Sequence, residues 1–261
     1  MQPQLLQYNI GEGVTAFSTT RNGGISTGAY AALNITHYCG DDGQCVAENR
    51  RRLCALLGID CNSLILPRQT HDTNCEVIDE EFFSLNMQER SARLEGVDAV
   101  MTNIPQVCIG VSTADCIPVL LYDAHKRVVA AIHAGWRGTV ARITETAFTK
   151  MCEVYGCNAA DICAVIGPGI SLDAFEVGDE VYDAFFAASF PMEQIAKRYG
   201  NRWHIDLWQA NRLQLLSCGI PEQSVTISGV CTYSMYDEFF SARRLGIESG
   251  RIFNGIMLET V

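Results

Sequence analysis

Cys116 and His133 are the residues of this chain best suited to chemistry. Cys116 closes the stretch Thr113-Ala114-Asp115-Cys116, and His133 lies within Ala131-Ile132-His133-Ala134-Gly135-Trp136-Arg137-Gly138. Between them run two apolar segments, Ile117 to Tyr122 and Val128 to Ile132, separated by Asp123-Ala124-His125-Lys126-Arg127. Two such segments joined by a short polar loop predict a β-hairpin. Pairing inward from a loop centred on His125 puts position 117 opposite position 133, so Cys116 and His133 meet at the open end. A thiol beside an imidazole can ligate a metal, or act as a nucleophile with its base.

His71 is the third candidate. It ends Pro67-Arg68-Gln69-Thr70-His71, which follows a short apolar run and so sits near a strand end. One Cys and two His ligands leave a zinc coordination position open for water or substrate, the pattern of a catalytic site. Two other readings stay open on the residues alone: a core histidine beside a buried thiol, and a Cys–His dyad without metal. His37, His125 and His204 are weaker ligand candidates, His125 at the hairpin tip and His204 among aromatics before a helix.

The elements that must position these groups alternate strands with a few helices. Strands are predicted at Val14 to Thr20, Ser63 to Leu66, Cys75 to Ile78, Ala99 to Thr102 and Val107 to Val111. The hairpin follows, then strands at Ile162 to Ile166, Val225 to Ser228 and Ile252 to Met257. Helices are predicted at Val46 to Leu57, stopped by Gly58, and at Gly138 to Tyr155, stopped by Gly156. Two more cover Asp179 to Ala187 and Asp206 to Cys218. No repeat, low-complexity linker or domain boundary is visible, so one α+β domain over residues 1–261 is the expected class.

Composition narrows the function. The chain has 261 residues, 48% hydrophobic and 19% charged, with a formal net charge of -11. That charge argues against broad binding to nucleic acid or to an anionic membrane surface. An anionic substrate would need local arginines. Met1 to Val14 shows no basic segment followed by an apolar one, and no apolar run approaches the roughly 20 residues of a membrane span. The 12 cysteines are scattered, with no CxxC pair, and several such as Cys54, Cys108 and Cys163 lie inside apolar runs. Buried free thiols in a reducing, cytoplasmic setting are expected.

The chain resembles the laccase-domain (YfiH-like) family, also called polyphenol oxidase and linked to purine nucleoside phosphorylase activity. The resemblance runs through Ser18-Thr19-Thr20-Arg21-Asn22-Gly23-Gly24-Ile25-Ser26, Leu33-Asn34, Gly40-Asp41-Asp42, Glu48-Asn49-Arg50, Gln69-Thr70-His71 and Gly96-Val97-Asp98-Ala99. It continues through the Cys116 and His133 motifs, Gly167-Pro168-Gly169-Ile170, Phe175-Glu176-Val177, Cys231-Thr232-Tyr233, Phe239-Phe240-Ser241 and Arg243-Arg244. Ala242 departs from it, standing where many relatives carry an aromatic.

The resemblance implies a mixed sandwich like that of cysteine hydrolases, with zinc on His71, Cys116 and His133 and phosphate near Arg50. It implies phosphorolysis of small nucleosides such as adenosine, inosine and methylthioadenosine, with adenosine deamination as a further activity. Asp115 and Arg137 are expected to support the ligands, and Arg243 and Arg244 to help hold an anion. Asn22 is a substrate-side candidate, although its glycines also read as a plain turn. The family also implies two alternatives, a Cys–His amidase editing peptidoglycan precursors and a copper-dependent polyphenol oxidase.

Overall fold

The computed structural model describes residues 2–260. Its strands are β1 (Leu5–Tyr8), β2 (Val14–Thr19), β3 (Leu64–Ile65), β4 (Cys75–Val77), β5 (Ala99–Thr102), β6 (Cys108–Thr113), β7 (Ile117–Asp123), β8 (Val128–Ala134), β9 (Ile162–Ile166), β10 (Glu176–Val177), β11 (Ala196–Tyr199), β12 (Arg202–Ile205), β13 (Val225–Ile227) and β14 (Ile252–Leu258). Its helices are α1 (Gly43–Leu57), α2 (Glu80–Ser84), α3 (Met87–Arg93), α4 (Trp136–Val140), α5 (Ile143–Tyr155), α6 (Asp179–Ala187), α7 (Met192–Ile195), α8 (Leu207–Ser217) and α9 (Ala242–Leu245). Helices and strands are mixed in an α+β arrangement. Among the described residues, no helix is long and apolar enough to cross a membrane.

Two sheets make the sandwich. One has the order β13-β9-β7-β8-β5-β4, the other β1-β2-β14-β6-β3, and β10-β12-β11 form a small third sheet. Strand β7 shows why its sequence is apolar from Ile117 to Tyr122 instead of alternating. Val119 and Leu121 face a core shared with Ile143, Ala147 and Met151 of α5 and with Ala210 and Leu215 of α8. Leu120 and Tyr122 face the opposite way, onto Val14, Ile109, Val111 and Ile256 of the second sheet. A strand buried on both faces needs apolar side chains at every position. The outer face of the second sheet is covered in turn, where Phe17, Phe253 and Cys108 pack on Leu53 and Cys54 of α1. Cys54 and Cys108 are buried free thiols, and Cys163 is half-buried.

The hairpin forms one residue out of the expected register. Ile117 pairs with Ala134 and Pro118 with His133, and the ladder continues to Asp123 opposite Val128. Asp123 stays in the ladder because its carboxylate accepts the Lys126 N–H at 2.8 Å, and Arg127 closes the loop at φ +52°. Cys116 therefore falls opposite Gly135 in the extended register, and its sulfur still lies within 4.8 Å of the His133 ring nitrogen as expected.

The helix expected from Gly138 to Tyr155 is instead two, α4 and α5, divided at Ala141 and Arg142. Arg142 takes a left-handed φ of +65°. The Thr139 carbonyl accepts the Gln214 side-chain amide at 3.0 Å, and the Asn211 amide reaches the Thr139 hydroxyl at 3.1 Å. These buried bonds hold the short α4 turn against α8, where a continuous helix would have carried it elsewhere.

Candidate metal centre

His71, Cys116 and His133 converge although they come from three segments. Their ligating atoms all lie within 4.8 Å of one another, the one such group of three found among the described residues. The Cys116 Sγ is 3.8 Å from the His71 Nε2, and the two imidazole rings meet edge to face at 4.8 Å. His133 is buried in β8, while His71 stands exposed on the loop after β3.

Local structure explains each placement. The Gln69 side chain pairs with the Ser112 backbone like a short extension of the sheet, donating to its carbonyl at 2.8 Å and accepting its N–H at 2.7 Å. That fixes the course of the chain into His71, which adopts φ +65°. Cys116 follows Asp115, at φ +85°. The Asp115 carboxylate accepts the Thr232 hydroxyl at 2.7 Å and the Arg243 backbone N–H at 2.6 Å. Two ligands are thus delivered by residues in or after a left-handed conformation, a costly backbone state that persists where its surroundings enforce it.

Gly135 completes the cradle. A Cβ there would lie 2.8 Å from the His71 ring, 3.2 Å from the Cys116 sulfur and 3.7 Å from the His133 ring. Only a glycine leaves the space between the three side chains open. Two imidazoles and one thiol around such a gap suit a transition-metal ion with a free coordination position.

Electrostatics favour a Cys116 thiolate paired with a His133 imidazolium, whose Nε2 must give up its proton before it can ligate. Burial opposes ionisation of Cys116, but the neighbouring His133 and His71 outweigh it and bring the thiol down to about 6. Burial likewise opposes the His133 imidazolium, and Cys116 together with Asp98 overcomes it, raising that ring to about 9. The protein thus stabilises a thiolate, the form that binds metal.

Sequence reasoning left Asp98 without a role. It is fully buried, and its Oδ1 lies 2.7 Å from the His133 Nδ1. An acidic residue immediately before the apolar run Ala99 to Thr102 was the available signal.

The other candidates divide. Arg243 lines a groove of about 630 Å³ beside the cluster, together with Ala114, Asp115, Trp136, Phe175 and Ile247. Its guanidinium lies over the Phe175 ring, 5.5 Å from the centroid, and donates to the Glu176 carbonyl. Arg244 lies against Tyr233 and Tyr236. Asp115 braces the Cys116 loop through its bonds to Thr232 and Arg243. Arg137 is exposed and stacks over Trp136 at 4.3 Å. Asn22 sits in a tight turn against the N-terminal segment, where a Cβ on Gly23 would collide with the Gln2 carbonyl.

Arg50 is not brought to the cluster. Its guanidinium donates to the Leu64 carbonyl at 2.9 Å, and Leu64 pairs with Cys108 at the start of β6. Ser112, the partner of Gln69, lies roughly 13 Å further along that strand. Arg50 instead lines a separate cavity with His37, Arg68 and Glu95. His37 faces that cavity, His125 lies 3.6 Å from Asp161, and the His204 Nδ1 bonds the Leu172 carbonyl at 2.9 Å.

Comparison with known proteins meets this geometry. A family model described as multi-copper polyphenol oxidoreductase laccase matches residues 15–259. The chain belongs to this family. Within it, a purine nucleoside phosphorylase of Bacteroides thetaiotaomicron is 47% identical over 94% of this chain and 92% of its own length. An adenosine deaminase from an unknown prokaryotic organism is 46% identical over 94% of each. The crystal structure of YlmD from Geobacillus stearothermophilus superposes with a TM-score of 0.89 at 30% identity, covering 97% of this chain and 94% of that one. The first two of these relatives bear the names of nucleoside enzymes.

Proposed function

We propose that this laccase-family chain is a zinc-dependent purine nucleoside phosphorylase acting on adenosine, inosine and methylthioadenosine. The observation that carries the reading is the open His71–Cys116–His133 cluster at the edge of the Arg243 groove. Phosphorolysis breaks the bond from the anomeric carbon to the purine nitrogen and forms one to a phosphate oxygen. The departing base takes up a proton. Positioning and charge neutralisation do most of that work.

The groove supplies surfaces of the right kind. Trp136 and Phe175 offer aromatic faces for a purine, and Arg243 offers a guanidinium for phosphate. A bound zinc ion would supply Lewis acidity to a phosphate oxygen or acidify a water molecule. The second role would serve adenosine deamination, the activity named for one relative. The same donors would also accept copper, but one cluster of three ligands is sparse for a multi-copper oxidase.

The test is metal analysis of purified protein combined with assays on the three nucleosides with and without phosphate. Near-stoichiometric zinc and base release that requires phosphate are expected. Ammonia release from adenosine independent of phosphate would assign the main activity to deamination. Metal-free protein with a thiol-dependent amidase activity would overturn the proposal in favour of a Cys116–His133 hydrolase.

A further inference from the structure

Asp98 occupies a position that no ligand list would include. The register that pairs Ala99 with Ile132 places it opposite His133, whose backbone N–H donates to the Asp98 carbonyl at 2.8 Å. Its side chain then receives four N–H groups. Oδ1 takes the His133 Nδ1 at 2.7 Å and the His71 backbone N–H at 2.9 Å. Oδ2 takes the backbone N–H groups of Thr70 at 3.1 Å and Asp72 at 3.0 Å. One carboxylate therefore grips the ring of one candidate ligand and the backbone of the other.

We infer that Asp98 is the positioning residue of the metal centre, fixing the His133 tautomer and the His71 loop together. The inference rests on the proposed metal site and deepens it. A carboxylate only accepts, so the proton at this contact resides on the His133 Nδ1, and Nε2 is left to face Cys116 and the ion. The three bonds that Asp98 accepts from the Thr70, His71 and Asp72 backbone N–H groups hold the left-handed turn that aims the second imidazole. Among the described residues, no other side chain bonds both the His133 ring and the His71 backbone.

Asparagine cannot substitute, whichever way its amide points. With its oxygen toward His133, the NH2 group confronts the Thr70 and Asp72 N–H donors. With its oxygen toward those donors, the NH2 group faces the His133 Nδ1 and forces the ring proton onto Nε2, which then cannot ligate. Glutamate is too long for a fully buried site already filled by four partners.

The experiment measures zinc affinity by chelator competition for wild type and Asp98→Asn, alongside thermal melting of both metal-free proteins. A folded Asp98→Asn protein that binds zinc on the order of 10- to 100-fold more weakly is the expected result. A folded variant with wild-type affinity would overturn the inference. In parallel, nitrogen-15 NMR of wild type should show a slowly exchanging, downfield proton on the His133 Nδ1. Its absence would overturn the inference even if the variant failed to fold. Wild-type protein that binds no zinc would sink the metal reading, and the NMR signal would then still decide whether Asp98 sets the tautomer.

Discussion

Gly135 and the two arginines carry the sharpest tests at the level of single residues. Gly135→Ala puts a methyl group into the gap between the ligands, so the variant should fold, melt close to wild type without metal, and bind little or no zinc. Retention of stoichiometric metal would show that the ion, if any, sits elsewhere. Arg243→Ala should lower kcat/KM for phosphate roughly 30- to 1000-fold, corresponding to about 2–4 kcal/mol of lost charge-assisted bonding. Arg50→Ala should leave the phosphate dependence unchanged and cost about 1–3 kcal/mol of stability, because the Leu64 carbonyl loses its donor. A phosphate KM that rises in Arg50→Ala would return the anion site to α1. The three ligand candidates were legible because Cys and His are chemically conspicuous and apolar patterning framed two of them. The separate cavity that Arg50 lines was not legible, because a helix position shows neither which way a long side chain runs nor what it closes. Asp98 was part of a quoted motif but received no role, because a carboxylate beside a strand looks like an ordinary strand start until the register is known.

Whole elements were readable wherever one apolar pattern ran unbroken. Strands β5 and β9 and helix α6 have the bounds that patterning predicts. The division between α4 and α5 was not readable, since it depends on side chains of α8 far along the chain. The Asn211 amide joins Thr139 to the Leu207 carbonyl, and its Oδ1 accepts the Thr144 hydroxyl at 2.8 Å. Asn211→Ala should therefore cost on the order of 1–3 kcal/mol by leaving buried partners unsatisfied. Thermal melting should show a drop of about 2–4 °C for each kcal/mol. An unchanged melting temperature would mean that α4 is held by apolar packing alone. The β11–β12 hairpin was missed although Gly200-Asn201 is a recognised two-residue turn, because its flanking strands carry charged residues on exposed faces. Helix α3 was missed in the same way. Its capping box, Asn86 with Glu89, was present, but the helix buries no residue and so shows no apolar stripe.

The molecule as a whole is acidic, with a sequence pI near 4.9. Phosphate must approach against that field, whereas an uncharged nucleoside is indifferent to it. Raising the salt from low to physiological concentration should therefore lower the KM for phosphate and leave the KM for inosine unmoved. An increase in the phosphate KM instead would mean that the local charge of Arg243 dominates the approach. The cluster also has a particular address. His71 lies on the loop that follows β3 of one sheet, while Cys116 immediately precedes β7 and His133 lies within β8 of the other. An ion bound there works as a rivet through the seam of the sandwich, and its binding energy adds to the cohesion of the two sheets. Heat and chelator then become interchangeable ways of prising the same joint. The melting temperature should climb with free zinc until the site is full, and the metal-free protein should part first along the line where the two sheets meet.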